Sequence, residues 1–193
     1  TRNSEGAFLE TGDGRLIFVY SHFYRAPGAD RGGADNAPAF LAGRESRDGG
    51  HTWSARDTLV VPNEGTENVM SVSLLRLQDG RIGLWYARKN SLADCRLHMR
   101  VSSDEGGSWS GARCCIPAPG YFVVNNDRVV QLRSGRLVVP AAFHRSKYPA
   151  SHKPKEAYAD FEGRGIAIFF LSDDGGKTWR ESRDWWALPV RSS

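Results

Sequence analysis

Apolar residues come along this chain in short β-branched and aromatic runs, each set off by a Gly- and Asp-containing turn, and the arrangement recurs. GDGRLIFVY at 12–20, DGRIGLWYA at 79–87 and SGRLVVPAA at 134–142 place a tight-turn dipeptide, Asp-Gly or Ser-Gly, ahead of such a run. AFL (7–9), VMSVSLLRL (69–77) and VVQL (129–132) precede these turns, so each unit is predicted to open with two strands joined by a hairpin. An eight-residue phrase then joins a second pair: SRDGGHTW at 46–53, SSDEGGSW at 102–109 and SDDGGKTW at 172–179. AFLAGRE, CRLHMRV and GIAIFFL stand before it, and SARDTLVV, SGARCCI and RESRDWWAL follow. The phrase starts lie 56 and 70 residues apart, and no helical period interrupts the pattern.

The unit is therefore strand, tight turn, strand, variable loop, strand, phrase, strand. Repeated four-stranded antiparallel units of this size predict an all-β fold built of β-propeller blades. Blade 1 covers about 1–62, blade 2 about 63–118 and blade 3 about 119–193. The phrase suits a hairpin corner: its Asp accepts from nearby backbone N–H groups, its glycines permit positive φ, and its Trp covers the corner between neighbouring sheets. Asp48, Asp104 and Asp174 are accordingly read as structural.

Alternation of loops along such a blade puts the hairpin turns and the phrases on one face. The long second-to-third-strand loops, 21–38 and 143–164, share the other face with the blade-to-blade links, and long loops on a rigid scaffold commonly carry function. That face is predicted to hold Arg2, Glu5, His22, Asp30, Asp35, Glu67, Asn68 and Arg88. From the third unit it adds Asn125, Asn126, Asp127, Arg128, His144 and Arg145. Guanidinium forks bind carboxylates bidentately and carboxyl groups move protons, so this population suits an anionic sugar.

Lys and Arg number 26 against 22 Asp and Glu, scattered along the chain, which argues only weakly for an anionic ligand and against nucleic acid. The longest apolar runs, such as GIAIFFL at 165–171, are far too short to span a bilayer. Three cysteines, two of them adjacent, define no disulfide framework. The five histidines show no metal-ligand spacing, and no metal or other cofactor is expected. GGKT at 175–178 imitates the end of a phosphate-binding loop, but Leu171 stands where that loop needs glycine.

The pattern S-x-D-x-G-x-[ST]-W resembles the Asp-box, and its repetition resembles the sialidase (neuraminidase) superfamily; VVQLRSGRLVVPAAFH at 129–144 is similar to a blade near the active site of bacterial sialidases. The resemblance implies a six-bladed propeller of which this chain supplies three blades. The others would come from the same longer chain or from a second subunit. It implies a sialidase-like exo-glycosidase acting on a terminal sialic acid or related acidic sugar, and inclines to a secreted or periplasmic protein. A Tyr nucleophile, a partnering Glu and a loop Asp as general acid/base belong to that chemistry. Asp35 matches the loop Asp, with Asp30 as its substitute, and Glu67 is the candidate second carboxylate. By spacing, Ser4 takes the place of the first of three arginines that grip the sugar carboxylate, with Arg2 offset by two. The alternatives are a non-catalytic propeller that binds glycan or protein, and a hydrolase or lyase of uronate polysaccharides.

Overall fold

Why the chain reads as three units becomes plain from its hydrogen bonding in a computed structural model, which describes residues 1–28, 33–145 and 163–187. The first sheet comprises β1 (Arg2–Glu10), β2 (Leu16–Phe23), β3 (Ala39–Ser46) and β4 (Thr58–Val61), antiparallel in chain order. The second comprises β5 (Asn68–Arg76), β6 (Ile82–Ser91), β7 (Asp94–Ser102) and the two-residue β8 (Arg113–Cys114). In the third, β9 (Tyr121–Val123) and β10 (Val130–Gln131) both pair with β11 (Leu137–His144), which pairs with β12 (Gly165–Ser172). On its outer edge β12 carries β13 (Arg180–Glu181) and β14 (Trp186–Ala187). A single parallel bridge, Cys95 to Tyr121, joins the second and third sheets. No helix occurs among the described residues, and no sheet there closes on itself.

The third sheet departs from the expected pattern. VVQL contributes only Val130 and Gln131 to a strand, because Asn125, Asn126 and Asp127 interrupt the ladder between β9 and β10. Consecutive polar residues offer no buried face to hold the strand, and Asp127 turns to φ 55°.

Burial is organised between sheets. Ala7, Ile17, Val19 and Leu41 on the back of the first sheet meet Val72, Leu74, Leu84 and Tyr86 on the front of the second. Trp85, Leu97 and Met99 on the back of the second meet Leu137, Val139, Ala141 and Phe170 on the front of the third. Each sheet thus buries both faces only where it has a neighbour on both sides. Trp109 and Trp179, which close the second and third eight-residue corners, pack into the joint with the sheet before them. Trp53, which closes the first, rests edge-on against Phe8 and Phe18 of its own sheet.

The three corners share one hydrogen-bond set. In the first, the Ser46 hydroxyl donates to Asp48 at 2.7 Å and accepts from the Gly50 N–H at 2.9 Å, while Asp48 accepts from the Thr52 N–H at 2.8 Å. Ser102, Asp104, Gly106 and Ser108 repeat it, as do Ser172, Asp174, Gly176 and Thr178. The second corner carries Glu105 at φ 58°, where the others carry Gly49 and Gly175. That costs about 1 kcal/mol or more. The side chain supplies a reason: Glu105 accepts from the Gly12 N–H at 2.7 Å and from both terminal nitrogens of Arg76 at 2.6 and 2.7 Å, tying the first sheet's hairpin to the second sheet.

These carboxylates contribute to acid stability. Hydrogen bonds from Thr52, Ser108 and Arg76, respectively, lower Asp48, Asp104 and Glu105 to about 2. A carboxyl depressed on folding stabilises above its unfolded pKa, near pH 4, and loses that contribution as pH falls toward its folded value. The melting temperature is therefore expected to drop between about pH 4 and pH 2. Glu105→Gln should melt lower at neutral pH and show a shallower acid decline in circular-dichroism melts; an unchanged decline would contradict this assignment.

Candidate functional site

At the end of the sheets opposite the eight-residue corners, the innermost strands bulge. β1 shifts register between Ser4 and Ala7, with Glu5 at φ 60°, and β5 shifts between Met70 and Ser73, with Ser71 also at φ 60°. Asp127, in the break of the third sheet, likewise has positive φ, at 55°. Non-glycine residues hold such backbone only where surrounding contacts over-determine it, commonly at functional sites. Here the contacts run from sheet to sheet. The Ser71 N–H and hydroxyl donate to Glu5 Oε2 at 3.1 and 3.3 Å. The Asp127 N–H reaches the Val72 carbonyl at 2.9 Å, the Arg128 N–H reaches the Ser73 hydroxyl at 3.1 Å, and the Asn126 amide reaches the Gly6 carbonyl at 3.4 Å.

Around this hub residues 33–38 of the first long loop fold back. Asp35 Oδ1 lies 2.8 Å from a terminal nitrogen of Arg2, whose guanidinium sits 4.1 Å over the Phe23 ring. The Asp35 carbonyl accepts from the Asn68 amide at 2.8 Å and from Lys89 Nζ at 3.2 Å. Lys89 is only 1% exposed; its ammonium stands 3.3 Å from Glu67 Oε2 and 5.6 Å from the centre of the Tyr121 ring. Gly65 makes this link possible, since a Cβ there would lie 2.3 Å from the Asn68 carbonyl oxygen.

The electrostatics separate the groups. Burial pushes Glu5 up from the usual carboxyl value; bonds from Ser71 and the Arg2 charge oppose it, and the Asp35 charge adds to it. Burial, first, and then the nearby thiol and carboxylates push the Tyr121 phenol well up. Burial likewise raises the Cys95 thiol to about 12. Tyr121 and Cys95 therefore stay protonated at neutral pH and are not activated nucleophiles.

A family model described as a BNR repeat-like domain matches residues 44–184. The chain belongs to this BNR-repeat, sialidase-type superfamily. No curated protein matches it. Among solved structures, a Dyadobacter fermentans protein of unknown function is similar over 93% of this chain and 54% of its own, with 18% identity and a TM-score of 0.69. The NanB sialidase of Streptococcus pneumoniae is similar over 100% of this chain and 45% of its own, with 12% identity and a TM-score of 0.67. An α-L-arabinofuranosidase of Fusarium graminearum follows over 95% and 49%, with 16% identity and a TM-score of 0.61. The chain thus spans about half the length of these structures, and at such identities the likeness is one of fold.

Against this BNR-repeat frame the predicted residues separate. Arg2, Glu5, Asp35, Glu67, Asn68, Asn126, Asp127 and Arg128 are brought to the hub end. His144 lies buried nearby, its ring 6.3 Å from that of Tyr121, with exposed Arg145 beside it. His22 instead stacks on Phe40 at 4.7 Å and faces Asp57 at 3.6 Å. Arg88 points to the opposite side of β6 from Lys89, across from Arg96. Asn125 is exposed in the link, and Asp30 lies outside the described residues.

Sequence reasoning missed Lys89, Ser71 and Tyr121. The period-2 rule would have set Lys89 on the face opposite Arg88, but nothing local marks it as buried. It also missed a repeated trio. In the second sheet the Tyr86 hydroxyl donates to Glu64 at 2.6 Å and accepts from Arg100 Nε at 3.0 Å, and Arg100 also pairs with Glu64. In the first, Tyr20 donates to Asp57 at 2.7 Å, and Arg44 reaches the same carboxylate at 2.7 Å. A tyrosine beside a carboxylate looks like an activated nucleophile, yet Tyr86 is fully buried, and burial followed by its bond to Glu64 raises its phenol. The trio of the second sheet is a structural clasp that ties the link residue Glu64 to β6 and β7.

Proposed function

We propose that this protein is a sialidase-like exo-glycosidase that removes a terminal acidic sugar from glycans, with its reacting centre at the hub end and three blades of a six-bladed ring supplied by this chain. The observation that carries the reading is the carboxyl pair in unlike settings: Glu5, desolvated and raised, beside Asp35, which is ion-paired to Arg2. A carboxyl raised by burial suits a proton donor, and a second carboxylate held by an arginine suits its partner, as glycoside hydrolysis requires. Glu5 is the proton donor to the departing oxygen, and Asp35, held by Arg2, is the carboxylate facing the sugar. Arg2, Arg128 and Arg145 are the candidate forks for the sugar's own carboxylate. Glu67, paired to Lys89, positions the loop rather than reacting.

Ser4, standing where the superfamily resemblance places an arginine, favours a second reading in which the acidic sugar is a uronic rather than a sialic acid. Fluorophore release from aryl α-sialosides and aryl β-glucuronides by micromolar full-length protein, with its ring of blades complete, tests both. Turnover of the sialoside is the expected result, and turnover of the glucuronide alone would move the substrate to uronates. Release from neither, with folded protein, would leave a glycan-binding propeller and overturn the enzyme reading.

A further inference from the structure

The two joints inside the chain are built from equivalent positions, and one of them lacks the charges that close the other. Counted from the hairpins, Arg15 corresponds to Arg81; counted from the corner serines, Glu45 corresponds to Val101, Glu105 to Gly175 and Gly107 to Lys177. Strand register adds a further pair, since Thr58 lies opposite Gly43 as Arg113 lies opposite Met99. In the joint between the first and second sheets, Arg15 Nη1 meets Glu45 Oε2 at 2.8 Å, and Arg15 Nη2 reaches the Glu105 carbonyl at 3.3 Å. Arg76 and the Gly12 N–H hold the Glu105 carboxylate in turn. Each of these charges has an opposite partner.

Between the second and third sheets both carboxylates are gone and two cations have been added. A cavity of about 470 Å³ opens there, at the corner end of the sheets, and its lining includes Arg81, Met99, Val101, Ser110, Arg113 and Lys177 but no carboxylate. Asp79 takes up Nε and Nη2 of Arg81 at 2.9 and 2.6 Å, which leaves Nη1. Arg113 donates only from Nη1, to the Gly176 carbonyl at 3.2 Å. Neither Arg113 nor Lys177 has an ion-pair partner among the described residues. The corner carboxylates are committed elsewhere: Asp174 to Thr178 and the Lys177 N–H, Asp173 to Arg136 and Arg180. Packing fixes the walls, since a Cβ at Gly176 would overlap Met99 Sδ.

We infer that this joint is a binding site for a phosphate monoester carried on a polar body such as a sugar. Two cations without carboxylates, set in a cleft between packed sheets, concentrate anions, and guanidinium groups match the oxygens of a phosphoryl group. Two unneutralised charges and the open Nη1 of Arg81 suit a dianion. The cavity is also far larger than a bare oxyanion, which displaces only a few waters of about 30 Å³ each, so room remains for the group that bears it. The site lies at the opposite end of the sheets from Glu5 and stands apart from the proposed activity.

Isothermal titration calorimetry of the full-length protein with glucose 6-phosphate is the test, with glucose and inorganic phosphate as comparisons. Glucose 6-phosphate should bind with a Kd below about 1 mM, inorganic phosphate about fivefold or more weaker, and glucose not at all. Arg113→Ala and Lys177→Ala, both at exposed positions, should each weaken binding about tenfold. Val101→Glu restores the carboxylate that closes the first joint and should abolish binding; Lys177→Glu replaces it if that variant does not fold. Arg133→Ala removes an exposed positive charge outside the joint and should leave affinity within about twofold. No binding of glucose 6-phosphate at about 10 mM, wild-type affinity in both alanine variants, or an equal loss in Arg133→Ala would overturn the inference. Equal affinity for inorganic phosphate would overturn the ester and leave a site for the bare anion.

Discussion

Truncating Trp85 to alanine should lower the stability of the fold by about 3–5 kcal/mol, a large part of the roughly 5–15 kcal/mol that holds a domain together. The indole is fully buried between the second and third sheets, among Leu97, Met99, Phe122, Val139 and Phe170. Its own strand makes room for it: a Cβ at Gly83 would lie 2.2 Å from the ring, so the space was opened on the sheet itself. Rigid ladders on both sides prevent the joint from collapsing onto the hole, which puts the loss at the high end of core truncations. Urea unfolding should show a lower midpoint with an unchanged slope. Trp186→Ala provides the contrast; at 58% exposure it should change the stability by less than about 0.5 kcal/mol. Equal losses for the two would mean that the inter-sheet joint is not the main store of stability.

That joint was legible in part. Alternating apolar positions after each Asp-Gly or Ser-Gly turn marked the strands, and glycines in the eight-residue phrases marked the corners, because both signals are local. Glu5, Ser71 and Asp127 were not legible as bulge residues, since positive φ in a non-glycine residue leaves no mark in composition. Nor was the Tyr–Arg clasp. Its spacing is in the sequence, Tyr20 and Tyr86 each five residues beyond a hairpin arginine, yet its carboxylates come from different places, Asp57 just ahead of β4 and Glu64 just after it. In the third sheet Ala141 and Phe170 stand at the clasp positions, so the repeat breaks where an apolar core replaces a polar one.

The candidate site divides along the same line. Chain topology sent Arg2, Asp35 and Glu67 to one end of the sheets, because loops alternate between faces. Which of them pair depends on how residues 33–38 fold back over β5, with Asn68 donating to two carbonyls of that loop at 2.8 and 2.9 Å. Such contacts span more than thirty residues and follow from packing rather than pattern. Reading the chain for carboxylates in loops favoured Asp35 as the proton donor, whereas burial at the hub favours Glu5, a strand residue.

Replacing Glu5 with glutamine should reduce kcat/KM on the responsive aryl glycoside by about 10²–10⁴-fold, the range for losing a general acid. The pH profile separates this role from a structural one. A general acid works while protonated, so activity falls as pH rises through its pKa; with Glu5 raised above 4.5, that basic limb lies above pH 4.5. The neighbours move the limb in opposite directions. Asp35→Asn removes a charge that raises Glu5, so the limb shifts to lower pH, in addition to any loss of rate. Ser71→Ala removes a hydroxyl that stabilises the ionised form, so the limb shifts to higher pH. Glutamine at position 5 should abolish the limb, while unfolding midpoints show whether the bulge persists. Activity within about twofold of wild type in Glu5→Gln, or a limb that ignores both neighbours, would transfer the proton-donating role to another group.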